Sequence, residues 1–249
     1  MEKTEDVEKD IVLPAIHGTT SILNSALKFP SIRRVVITSS VVAVTPQIAL
    51  MNGDDKNTYT ADSRISPLPT PPWGSVIAAY CSSKALALNA TDKFMDEKKP
   101  HFSIVNIMPG LIVGRNELTT VAEDLLKSTN VFILGPVLGL QVPAAACTVI
   151  DVRDVARIYV KSLNESKVVG NKNFVLDAGK IKFDDALKIA EQEFPEAIES
   201  GVLPLGGHIS SVYSVFDTKE TVETFGKFYS YSEAAKEVIG QYLELKART

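Results

Sequence analysis

Little in this sequence supports disulfide, metal or nucleic-acid chemistry. Its 249 residues include two cysteines and three histidines. Cys81 and Cys147 form no paired motif, which excludes a disulfide framework and fits a reduced, cytoplasmic setting. His17, His101 and His208 are scattered without ligand spacing, so no metal site is expected. Lys and Arg number 26 against 30 Asp and Glu, for a net charge of -4. No basic block stands out, which argues against nucleic acid or an anionic membrane as partner. No apolar run approaches the ~20 residues that span a bilayer. The opening MEKTEDVEKD is polar, so no secretory signal is expected. Internal repeats and low-complexity tracts are also missing. What the chain does have is apolar content: 45% hydrophobic residues, ample for one large domain or two small ones.

Residues 7–28 carry Ile11, Ile16, Ile22, Leu23 and Leu27 at helical spacing, with Pro14 expected early in that helix. Val35, Val36 and Ile37 form a short apolar run, as in a parallel strand buried on both faces. Residues 46–75 read as a long irregular loop, with prolines at 46, 67, 69, 71 and 72 and an Asn52–Gly53 turn signal. Residues 76–97 return to helical periodicity, and 102–110 give a second buried strand stopped by Pro109 and Gly110. Residues 117–128 look helical, and 131–139 are apolar but broken by Gly and Pro. Asp151 can cap the helix that follows it, 173–179 read as a strand and 183–194 as a helix. Asp217 with Glu220 predicts a capped short helix closed by Gly226, and a last amphipathic helix covers about 232–246. Strands alternating with helices predict an α/β fold with a mainly parallel sheet.

Tyr80 and Lys84 stand four apart on a predicted helix, hence on one face. A free phenol titrates near pH ~10 and is a poor proton donor at neutrality. A nearby ammonium stabilises the phenolate and makes proton exchange with a carbonyl or alcohol oxygen feasible. Ligands in parallel sheets bind outside the carboxyl ends of the strands, and Ser39 and Ser40 stand there. The spacing alone is unspecific, because Tyr242 and Lys246 repeat it in the terminal helix. That second copy needs only a packed ring and a solvated amine. The first copy differs by following a strand-end serine pair.

At these residues the chain resembles the extended short-chain dehydrogenases/reductases (NAD-dependent epimerase/dehydratase-like), notably fungal aldehyde and methylglyoxal reductases and plant dihydroflavonol reductases. The matching pieces are VVITSS, AAYCSSK, IMPGLIVG, IDVRDVARIYV, FDTKETVETFG and the closing QYLELK, in that order. The resemblance implies Tyr80 as proton donor, Lys84 beside it on the nicotinamide ribose, and Ser40 rather than Ser39 orienting the substrate oxygen. It implies Pro109, Gly110 and Ile112 at the nicotinamide, with NADP(H) preferred over NAD(H) as cofactor and a small-molecule carbonyl compound as substrate. Residue by residue, Ser39 also reads as a strand-end hydroxyl, Pro109–Gly110 as a strand terminator, and Asp151, Arg153 and Asp154 as capping and packing. Arg115 reads either as a partner for a substrate carboxylate or as a surface ion pair.

The family opens with a strand, a GxxGxxG turn and a helix whose amino end holds the pyrophosphate. No such pattern occurs here; Gly110/Gly114 and Gly135/Gly139 are spaced GxxxG and lie too late. The resemblance thus implies a Rossmann-like parallel sheet, N-terminally truncated by roughly 80–90 residues, with a small C-terminal substrate-binding region. In that scheme 1–115 form a partial Rossmann unit, 151–181 its later helix and last strand, and 116–150 with 182–249 the substrate-binding region. The strand at 34–38 would expose an apolar edge, inviting another chain or self-association. Two functions follow. One is an NAD(P)-dependent carbonyl reductase; the other is a non-redox or inactive relative lacking the phosphate loop.

Overall fold

A computed structural model describes residues 6–248. The first five residues of the polar opening lie outside the described residues. In chain order the elements are α1 Leu13–Ala26, β1 Arg34–Thr38, α2 Gln47–Asn52, β2 Asp54–Tyr59, α3 Val76–Lys98, β3 Ser103–Pro109 and β4 Leu111–Val113. There follow α4 Val131–Val137, β5 Gln141–Ala146, β6 Val149–Asp151, α5 Val152–Ser162, β7 Lys172–Leu176 and α6 Asp185–Glu193. The chain closes with α7 Pro195–Glu199, β8 His208–Val212, β9 Ser214–Phe216, α8 Lys219–Phe225 and α9 Tyr231–Lys246. This is the α/β fold the alternation predicts.

The site is carried by a three-stranded parallel sheet in the order β1-β3-β7. Side chains alternate across it. Val35, Ile37 and Ile104 face α1 and α3, against Leu23, Ala26 and Phe94. Val36, Val105 and Ile107 face α5, against Val155 and Ile158. Removing such side chains from water contributes ~1.5–3 kcal/mol each, which fixes the register as well as the layers. A separate, larger core joins α4, α6 and α9 around Leu134, Phe183 and Ile239.

β3 is buried along nearly its whole length, whereas β1 is only half-buried, because β1 forms one edge of the sheet. The bonds Ser103 N–Arg33 O and Ser39 N–Ile107 O commit the odd-numbered residues of this stretch to β3. Parallel pairing then turns the amides and carbonyls of 34, 36 and 38 toward the open edge. Such an edge templates strand addition. Sedimentation velocity is expected to show reversible association growing with protein concentration; a single monomer boundary throughout would refute this.

Three expectations need correction, in whole or in part. The 46–75 loop contains α2 and β2, and β2 pairs with the distant β9, a tertiary event its polar sequence DDKNTY does not announce. Within 117–128 only 3₁₀ turns at Ala122–Lys127 form, and Asn116 Oδ1 instead accepts Leu118 N at 3.1 Å in a local turn. At Asp217–Glu220 only half of the expected cap forms: Asp217 Oδ1 accepts Lys219 N at 2.9 Å and Gly226 closes the short helix, but Glu220 takes Lys172 Nζ at 2.6 Å. A capping box forms at Ser230–Glu233, which heads α9. Pro14 opens α1 as expected, but behind a π-helical turn at Glu8–Val12.

Candidate active site

Three elements meet at the carboxyl end of β1. The strand ends at Thr38 because Ser40, in extended conformation (φ -165°, ψ 157°), caps the 3₁₀ turn Val41–Ala43. Its hydroxyl accepts Val42 N at 3.4 Å and donates to the Pro109 carbonyl at 3.4 Å. α3 starts where Ser75 Oγ accepts Ala78 N at 3.2 Å, and runs Tyr80 and Lys84 along the face turned to β1. Lys84 Nζ donates to the Thr38 carbonyl at 3.3 Å and lies 5.9 Å from the centre of the Tyr80 ring. β3 delivers Pro109, and Gly110 follows it.

The electrostatics are those of a partly buried pair. Burial pushes the Tyr80 phenol up, while the Ser40 hydroxyl favours the ionised form and pulls it partly back. Burial pushes the Lys84 ammonium down. Net, the phenol is held above its ordinary range, with Ser40 opposing the desolvation.

Lys84 also lines a cleft of about 270 Å³ with Thr38, Ser39, Asn106 and the α1 residues Gly18 and Thr19. Tyr80 is not in its wall. Asn106 is buried and donates to Asn173 Oδ1 on β7 at 2.8 Å. Sequence reading missed Thr38, Asn106 and the α1 wall. A lone amide inside FSIVNIMPG was the available signal, since a polar residue in a buried run needs a partner or a role.

The remaining expected residues separate cleanly. Gly110 sits under Thr148: a β-carbon there would lie 2.4 Å from the Thr148 carbonyl oxygen, which already accepts Leu111 N at 2.6 Å. Close backbone approach therefore explains this glycine. Gly110→Ala is expected to destabilise by about 1–3 kcal/mol through overpacking, seen as a melting point lower by roughly 3–10 °C. An unchanged melting point would contradict the contact. The Ile112 carbonyl accepts Thr129 Oγ1. Asp151 caps α5 through Arg153 N at 2.8 Å, and Asp154 is held by Arg157 at 2.5 Å and by Tyr229 N at 2.7 Å, so the motif anchors and packs. Arg115 is engaged by Glu244 at 2.7 Å and Glu117 at 3.2 Å. In the second Tyr–Lys copy, the Tyr242 ring is buried and Lys246 bonds Glu123 at 2.5 Å. Both cysteines are free and buried.

No known family model matches the chain. Individual relatives do. A ketoreductase of Cercospora beticola is 35% identical over 255 residues, covering 98% of this chain and 70% of the relative. The NADPH-dependent methylglyoxal reductase of Saccharomyces cerevisiae is 26% identical, with 98% and 73% covered. The crystal structure of yeast methylglyoxal/isovaleraldehyde reductase complexed with NADPH superposes with a TM-score of 0.80 at 24% identity, over 100% of this chain and 75% of that one. The likeness to that structure establishes a Rossmann-like fold. The chain spans about three quarters or slightly less of these proteins.

Proposed function

We propose that this chain, which belongs to the extended short-chain dehydrogenase/reductase (NAD-dependent epimerase/dehydratase-like) family, is an NAD(P)-linked carbonyl reductase with Tyr80 as proton donor. The observation that carries this reading is the meeting of Ser40, Tyr80 and Lys84 at the carboxyl end of β1, where parallel sheets bind ligands.

The residues present fit one end of a dinucleotide. The cleft of about 270 Å³ falls just below the ~300–1,000 Å³ of whole-ligand pockets, which suits one end of a larger molecule. Its polar edge, Lys84 with Thr38, Ser39 and Asn106, suits a ribose and an amide rather than a diphosphate. NADP(H) is the preferred cofactor, in line with the NADPH-dependent yeast relative. A bound nicotinamide supplies the hydride. The chain's own residues then do the acid chemistry. Tyr80, kept protonated at neutral pH by burial, gives its proton to the carbonyl oxygen. Ser40 can turn its hydroxyl from the Pro109 carbonyl to the same oxygen and so fix its position. Its effect on the phenol also favours the phenolate left behind. Lys84, held by the Thr38 carbonyl, keeps a positive charge on that side of the ring.

Residues 116–150 and 182–249 would shape the substrate side. Arg115 is already occupied by two glutamates, which favours a neutral carbonyl compound over a carboxylate. The test is oxidation of NADPH by a panel of small aldehydes and ketones, alongside melting with NADP(H) and NAD(H). Stabilisation should grow with nucleotide concentration, reaching ~2.7 kcal/mol at one hundred times Kd. Neither turnover nor a melting shift would favour the second reading, a non-redox or inactive relative, whose motivation is the lack of GxxGxxG in this sequence.

A further inference from the structure

β1 is an edge strand, so among the described residues the backbone of Thr38 has no ladder partner on its open side. Two other groups hold it instead. On the edge side its carbonyl accepts Lys84 Nζ at 3.3 Å. On the α5 side its hydroxyl is bonded to the Tyr159 hydroxyl. The Tyr159 ring packs in the apolar layer with Val36 and Ile112, against Val155 and Ile158. The half-buried ring has two torsions, and packing in this layer narrows both, which limits the travel of its hydroxyl. Two residues beyond Thr38 lies Ser40, which acts on Tyr80. Thr38 thus links the α5 layer to Lys84 by its carbonyl, and to Ser40 by the chain.

We propose that Tyr159 is a positioning residue of the Tyr80–Lys84 site, acting through Thr38 to hold the Lys84 ammonium in place. This rests on the reading of that site given above and names a residue that the Tyr–Lys spacing does not reveal. Tyr159 never touches the reacting atoms. Its role is to stiffen the one acceptor that Lys84 has among the described residues.

The groups facing Lys84 make the effect readable. Tyr80 is on its own helix, Thr38 and Ser39 come from β1, Asn106 from β3, and Ala15, Gly18 and Thr19 from α1, with no carboxylate in the cleft wall. No carboxylate therefore titrates beside Lys84; the neighbouring acid is the Tyr80 phenol, so each Tyr159 and Thr38 variant is compared with its parent both with Tyr80 present and in a Tyr80→Phe background. Losing a well-placed acceptor disfavours the ammonium, so its titration should move to lower pH.

The experiment follows the lysine ε-carbon signals of the full chain by NMR across pH, with the Lys84 signal identified by its absence in Lys84→Arg. Tyr159→Phe removes the hydroxyl and keeps the ring. It is expected to move the Lys84 titration to a pH about 0.5 lower, and Thr38→Val to do the same. The double variant should move it no further than either single one, because both act on one path. An unmoved Lys84 titration in Tyr159→Phe, or additive shifts, would overturn the proposal. Loss of melting temperature alone, with the titration unmoved, would assign Tyr159 to packing and overturn it too. The titration needs no turnover, which separates the two readings. A chain that reduces no carbonyl but whose Lys84 responds sinks the reductase assignment and supports the Tyr159 link. A chain that turns over but whose Lys84 ignores Tyr159 does the reverse.

Discussion

Tyr80→Phe is expected to lower the rate of carbonyl reduction by about 10²–10⁴-fold, the usual contribution of a positioned general acid. Phenylalanine keeps the ring on α3 and removes only the hydroxyl, so melting should stay within a few degrees of the parent. The loss should fall on kcat rather than on nucleotide binding, because Lys84, Thr38, Ser39 and Asn106 form the cleft and Tyr80 is not in its wall. Ser40→Ala should be milder, since Ser40 orients an oxygen and donates no net proton. Stopped-flow oxidation of NADPH under single-turnover conditions isolates the chemical step. Hydride transfer within threefold of the parent in Tyr80→Phe would remove Tyr80 from the reaction.

Asp177 should make folding stability fall as pH rises. It ends the segment NFVLD after β7, is nearly fully buried, and its carboxyl is pushed up from 3.8 to about 7 by burial. Hydrogen bonds from the Val149 and Gly179 amides oppose that shift without overcoming it. The neighbouring Cys147 thiol is pushed up to about 12 by its own burial, so it stays neutral over the working range. The sign follows from proton counts. Between pH 3.8 and about 7 the folded chain keeps a proton that the unfolded chain has released. Stability from this group is therefore fully present at low pH and is lost through that window, at ~1.4 kcal/mol per pH unit. The accumulated loss is roughly 3–5 kcal/mol. Asp177→Asn keeps an oxygen for the Val149 amide and cannot ionise. It is expected to be more stable than the parent at pH 8 and to flatten the profile between pH 5 and 8. Urea unfolding at both pH values checks this. Parallel profiles for the two proteins would mean that Asp177 does not control the slope.

The parts of the site legible in sequence were those whose partners lie close along the chain. Tyr80 and Lys84 share a face because an α-helix places residues four apart together. The serines at 39 and 40 read as strand-end because the apolar run before them stops there. Asp151 reads as a cap because capping is a two-residue event, and the structure has that bond. Where local rules compete, reading failed. Asp217 caps Lys219 N as its position suggests, but the returning bond from Glu220 is missing because Lys172, 48 residues from Glu220 in sequence, draws that carboxylate off.

By itself, then, the sequence determined an α/β chain, the three strands of the central sheet and the long helices between and after them, and a Tyr–Lys pair beside a serine. Helical period, apolar runs and short-range hydrogen bonds are enforced within a few residues. The serine pair already told the two identical Tyr–Lys spacings apart; only the tertiary structure decided that Lys84 is held by the Thr38 carbonyl and Lys246 by Glu123. It also decided that β2 pairs with β9, and that the Thr38 carbonyl receives Lys84 while its hydroxyl meets Tyr159 across the sheet. The reason is physical. Thr38 presents its carbonyl to one partner and its side chain to another only because β1 lies at the sheet edge between α3 and α5, and no local pattern states which element will cover which face.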